Sequence, residues 1–73
     1  MKYIKHKTFG YILFQESLQH CEMADKFGGR KMVESAGFVA ARPCTVHVFG
    51  ESMTLDIHSH PGDVQGITTA LKC

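Results

Sequence analysis

His58-Ser59-His60-Pro61-Gly62-Asp63 places two imidazoles one residue apart, ahead of a proline and a carboxylate. A little upstream, Cys44 and His47 stand in a Cys-x-x-His arrangement. Imidazole and thiolate are the ligands zinc prefers, and a structural site needs them to converge tetrahedrally. Cys44, His47, His58 and His60 are therefore the metal candidates, provided that neighbouring strands bring them together. The same residues also have a purely architectural reading. Proline suits the first position of a helix, where its missing N–H costs nothing. Ser59 or His60 can cap that helix, and Asp63 then meets the positive end of its dipole. The architectural reading is the expectation, because Cys-x-x-His followed by His-x-His is not a familiar structural zinc spacing.

Other reactive types are scattered. Ser52 in Gly50-Glu51-Ser52 lacks the Gly-x-Ser-x-Gly frame of a nucleophile elbow, since Thr54 stands where glycine belongs. It reads as turn chemistry at an exposed position. Cys44 and His47, three apart on one strand, point to opposite faces and so make a poor nucleophile–base pair. Gly28-Gly29-Arg30-Lys31 offers amides and cations for a phosphate, but it follows a helix where a cradle would precede one. No catalytic set assembles and no cofactor is implied.

The elements that must position these groups follow from periodicity. Tyr3–Phe9 and Tyr11–Phe14, rich in aromatic and β-branched residues, read as two short paired strands about Gly10. Ser17 is placed to cap a helix from Leu18 to Phe27, and Gly28-Gly29 supplies its stop. Met32–Ala41 and Cys44–Phe49 read as strands broken by Arg42-Pro43. Met53-Thr54-Leu55-Asp56-Ile57 alternates apolar and polar with period two and reads as a further strand. Val64, Ile67 and Leu71 mark a second amphipathic helix from Asp63. The order ββ-α-βββ-α, with short links between consecutive strands, implies an α+β fold: a small antiparallel sheet with two helices on one face. His47, Phe49, Thr54 and Asp56 would then lie on the opposite face.

Composition fits one small domain over residues 1–73. The chain is 44% hydrophobic and 21% charged, as ordinary globular domains are. At this length folding buries only about 60% of the surface that the unfolded chain exposes, so the core is thin. Net charge is +1 with histidines neutral, which supplies no long-range pull toward nucleic acid or lipid. No apolar run is long enough to span a bilayer, and the start lacks the hydrophobic stretch of a signal peptide. The expected compartment is the cytoplasm, where Cys21, Cys44 and Cys73 would be thiols.

Two resemblances bear on the pattern. Ile57-His58-Ser59-His60-Pro61 resembles the metal-binding stretch of the JAMM/MPN metalloproteases, which remove ubiquitin-like tags or trim small peptides. That family needs a further aspartate where Leu71 stands here, and the resemblance is set aside on that ligand. Ser35-Ala36-Gly37-Phe38-Val39, then Gly50-Glu51-Ser52-Met53-Thr54-Leu55, then Ser59, Pro61 and Asp63, resembles a pattern in short uncharacterised bacterial and prophage-type proteins. It implies architecture and no activity.

The leading functional expectation is a small interaction module that forms a homodimer or binds another protein. Its motive is a thin core combined with strand edges that need cover. The alternative is a nucleic-acid accessory protein of a mobile element, using Lys2, Lys5, Lys7, Arg30, Lys31 and Arg42 on phosphates with Tyr3, Phe9 or Tyr11 stacking on bases. A small zinc protein built on Cys44, His47, His58 and His60 is the third reading.

Overall fold

The computed structural model describes residues 1–42 and 45–70. Strands β1 (Lys2–His6) and β2 (Gly10–Phe14) form the first hairpin, followed by helix α1 (His20–Asp25). A single 3-10 turn at Arg30–Met32 leads into the ten-residue β3 (Val33–Arg42), and β4 (Thr45–Phe49) returns beside it. A two-residue-per-strand hairpin, β5 (Glu51–Ser52) and β6 (Ile57–His58), precedes helix α2 (Asp63–Ala70). The four long strands make one antiparallel sheet in the order β2-β1-β3-β4, and β5-β6 forms a separate small sheet. The α+β class and the antiparallel sheet are as the periodicities imply.

Strand alternation sorts the apolar residues into two clusters on opposite faces. Ile4 of β1, Ile12 and Phe14 of β2, and Ala36 of β3 pack with Leu18, Cys21 and Ala24 around α1, and with Leu55 and Ile57 of the small hairpin. Tyr3, Leu13, Val39, Val46 and Val48 pack with Val64 and Ile67 of α2. The two helices thus cover different faces, which corrects the expectation of a single covered face. The physical reason lies in β1, where Tyr3 and Ile4 are both fully buried although adjacent residues on a strand point to opposite sides. A strand buried on both sides needs cover on both sides.

Two local expectations also change. Helix α1 starts later than Ser17 would dictate, because Gln19 and Glu22 form a capping box in which the Gln19 N–H donates to Glu22 Oε1 at 3.0 Å. The period-two run Met53–Ile57 is not a strand. Residues 53–56 form the turn of the small hairpin, with Met53 87% exposed and Leu55 buried at the tip. Ser52 Oγ accepts the Leu55 N–H at 3.1 Å, and Asp56 takes a left-handed φ of 56°, a conformation that aspartate tolerates. Side-chain capping of the backbone outcompetes the strand that alternation alone suggests.

Gly37, within β3, lies against the points where the chain enters and leaves the small hairpin. A Cβ there would lie 2.8 Å from the Phe49 carbonyl oxygen and 2.9 Å from Ser59 Cβ. Both are anchored by short links, so neither can give cheaply. Gly37→Ala is expected to lower unfolding free energy by about 1–3 kcal/mol, the usual cost of overpacking, in a urea titration. An unchanged midpoint would show that this crossing is loose.

Candidate functional site

The three metal candidates among the described residues, His47, His58 and His60, do not come together as a three-ligand group. His58 is exposed on β6 and its Nδ1 sits 3.0 Å from Glu51 Oε2, the opposite residue of the hairpin. His47 is exposed on β4, and His60 is exposed in the approach to α2. Cys44 lies outside the described residues. Among the described residues no three of His, Cys, Asp and Glu come close enough to hold an ion.

The cationic candidates are dispersed as well. Lys2 and Lys5, three apart on β1, project to opposite faces. The Lys2 ammonium donates to the Leu18 carbonyl at 2.7 Å, while Lys5 stands over the Tyr11 ring at 5.6 Å with Glu34 nearby. Arg30 Nε donates to the Leu55 carbonyl at 2.6 Å, anchoring the hairpin tip. Lys7 and Lys31 are exposed, and the Arg42 side chain lies outside the described residues. Tyr3 is fully buried and cannot stack on a base, whereas Phe9 is 66% exposed. No continuous cationic surface results among the described residues.

Ser52 is not an exposed hydroxyl. It is fully buried and organises the turn, as described above.

The polar groups that matter most are ones whose surroundings the sequence does not announce. Asp63, 3% exposed, receives four hydrogen bonds. Tyr3 Oη donates to Oδ2 at 2.6 Å, Ser35 Oγ to Oδ2 at 2.7 Å, Tyr11 Oη to Oδ1 at 3.0 Å, and the His60 N–H to Oδ2 at 3.2 Å. Its carboxylate therefore bonds β1, β2, β3 and the entry to its own helix. Burial alone would raise its pKa, but the four donors outweigh that and hold the carboxyl below its ordinary range. The same geometry pushes the Tyr11 hydroxyl up to about 12, through burial first and the Asp63 contact second, and raises Tyr3 further. Tyr11 can reach Asp63 because Gly66 has no side chain. A Cβ on Gly66 would collide with the Tyr11 ring, so a helix-weakening glycine inside α2 has a packing reason.

Two histidines are equally hidden. His6, 3% exposed, accepts the Thr8 and Phe9 N–H groups on Nδ1 at 3.0 and 3.1 Å. Its Nε2 must then carry the proton, which it gives to the Phe27 carbonyl at 2.6 Å. His20 lies edge-on between Phe14 and Phe38, with Nε2 2.8 Å from the Gly37 carbonyl. Burial lowers the His20 pKa more than that bond raises it, and Lys2 adds to the lowering.

Two clefts accompany these groups. One, about 340 Å³, lies at the Asp63 cluster between Lys5, Tyr11, Glu34 and His60. The other, about 490 Å³, lies on the α1 face, floored by the β1–β3 register pair Lys2 and Phe38 and walled by His20, Glu51, Met53 and Thr54. The chain matches no protein-family model, no curated protein and no solved structure, so these geometries stand on their own.

The titrations fix how stability depends on pH. His20 has a folded pKa below 6.5 and Asp63 one below 3.8. In each case the unfolded chain binds more protons across the window beneath the ordinary value, so unfolding free energy rises with pH there. Stability is therefore expected to fall as pH drops below 6.5, and again below 3.8. At the alkaline end it falls above pH 10, where the unfolded chain loses tyrosine protons that the fold retains. Urea midpoints measured across pH check this, and His20→Gln should remove the first acid step alone. A flat profile between neutral pH and 4.5 would contradict the buried neutral imidazole.

Proposed function

We propose that the chain is a small protein-interaction module whose partner is a second copy of itself, paired through β4. The observation that carries this reading is the surface beside that strand. Phe49 is 53% exposed and stacked on Phe38 at 5.7 Å, and Met53 of the adjoining turn is 87% exposed. β4 pairs with β3 on one side and is an edge of the sheet. Thr45–Phe49 contains no charged residue and no proline, the usual devices that keep edges apart, so an antiparallel copy meets no like charge. The opposite edge, β2, is uncharged too, but all five of its residues are buried or half-buried.

Association would add to a finished fold. The accessible surface, 4578 Å², is close to the roughly 4,500 Å² expected for a monomer of this length. The interaction reading therefore rests on the edge and its aromatic neighbours, and not on a core too thin to stand alone. We place the protein in the cytoplasm. Cys21, a free thiol packed against the α1 cluster, suits a reducing compartment, and no helix among the described residues is long and apolar enough to cross a membrane.

Sedimentation velocity at micromolar concentration tests the proposal. The wild type is expected to form a dimer in a concentration-dependent way. Phe49→Lys, at an exposed position, is expected to weaken the dimer at least about tenfold while leaving the far-ultraviolet circular dichroism of the fold unchanged. A wild type that stays monomeric throughout would overturn the reading, as would a Phe49→Lys variant that dimerises as tightly.

A further inference from the structure

We infer that the cleft on the α1 face is a binding site for a small zwitterion with an apolar body, of the chemical class of a free aromatic amino acid. Its volume of about 490 Å³ is within the range of small-molecule sites, and its composition is what such sites use: an apolar wall with a few convergent polar groups. The inference rests on the cleft and not on self-association, although Met53 borders both surfaces.

His20 carries the argument furthest. It is 96% buried by its 4% exposure, and Nε2 is committed to the Gly37 carbonyl. Nδ1 makes no hydrogen bond to a described residue, yet no buried side-chain nitrogen or oxygen is left without a partner. That nitrogen is therefore not sealed from solvent, and His20 is one of the residues that line the cleft. With the ring neutral and Nε2 carrying the proton, Nδ1 is an acceptor waiting for a donor.

The charges complete the site. Lys2 gives one of its three N–H groups to Leu18 and keeps two for an incoming carboxylate. Glu51 meets His58 through Oε2 and keeps Oε1 for a cation. A ligand ammonium thus has Glu51 and His20 Nδ1 as acceptors, and a ligand carboxylate has Lys2. Phe38 and Met53 supply the apolar lining of the same cleft, and Phe49, which does not line it, stacks on Phe38. A purely anionic or purely cationic molecule would leave one of the two charges facing the ligand uncompensated.

The test is a two-dimensional NMR titration of the isotopically labelled chain with L-phenylalanine, phenylacetate and phenethylamine as separate probes. L-phenylalanine is expected to bind saturably, shifting the His20 ring nitrogen Nδ1 and the Lys2, Phe38 and Thr54 amides, and to bind more tightly than either single-charge probe. Lys2→Gln should weaken L-phenylalanine and phenylacetate about tenfold and leave phenethylamine unchanged; Glu51→Gln should do the converse. Preserved chemical-shift dispersion in both variants separates a lost contact from a lost fold. The inference is overturned by the absence of saturable shifts, by shifts away from His20, or by equal binding of all three probes. Repeating the titration at two protein concentrations separates the outcomes: an affinity that does not change with concentration belongs to the cleft, and one that does reports the dimer.

Discussion

One carboxylate holds the layers of this fold in register. Asp63 opens α2, yet its oxygens collect hydroxyls from Tyr3 on β1, Tyr11 on β2 and Ser35 on β3. Apolar contact alone says little about where a helix rests on a sheet, because the hydrophobic effect has no direction. Hydrogen bonds to a buried charge do, since a misplaced helix would leave that charge unpaired in a poorly solvating interior. The position of α2, and with it the packing of Ile67 against Tyr3 and Val39, follows from this one group.

The same logic recurs at smaller scale. His6 joins the β1–β2 turn to the carbonyl that follows α1, and His20 joins the start of α1 to β3. Two buried imidazoles thus pin both ends of a helix only six residues long, which would be marginal alone. A thin core is supplemented by directional bonds at the ends of each helix. The consequence for function is economy of surface. Polar groups that might have served chemistry are internal fasteners, while the exposed features are the aromatic margin of β4 and the cleft beside α1, where His20 retains one unused nitrogen.

How much of this was legible depends on the range of the interaction. Gly10 opens β2 instead of making the first turn, which falls at residues 7–9. Local patterns nonetheless located the β1–β2 hairpin, the long third strand and the α2 boundary, because turn residues and periodicity act over a few positions. The segment around Met53 misled for the same reason: alternation over five residues is weak evidence when Ser52 and Asp56 can close a turn with their own side chains and backbone. Asp63 was legible as a first-turn residue of a helix, but its partners stand 28, 52 and 60 positions away, and no spacing rule reaches that far. A signal for two-sided cover was present in Tyr3-Ile4, large apolar neighbours in one strand, which is how a strand buried on both faces reads. The histidines that drew attention, His58 and His60, are exposed, and those that matter structurally, His6 and His20, carry no motif at all.

The account is tested most directly by equilibrium urea unfolding of Asp63→Asn at neutral pH. The amide keeps the shape but removes the charge and turns a donor toward hydroxyls that already donate. Losing even two charge-assisted bonds should cost roughly 3 kcal/mol or more, a large fraction of the stability of so small a domain. A variant that unfolds near zero urea or with a stability lower by that amount is the predicted result. A loss within about 0.5 kcal/mol, the range of ordinary surface substitutions, would mean that apolar packing alone positions α2.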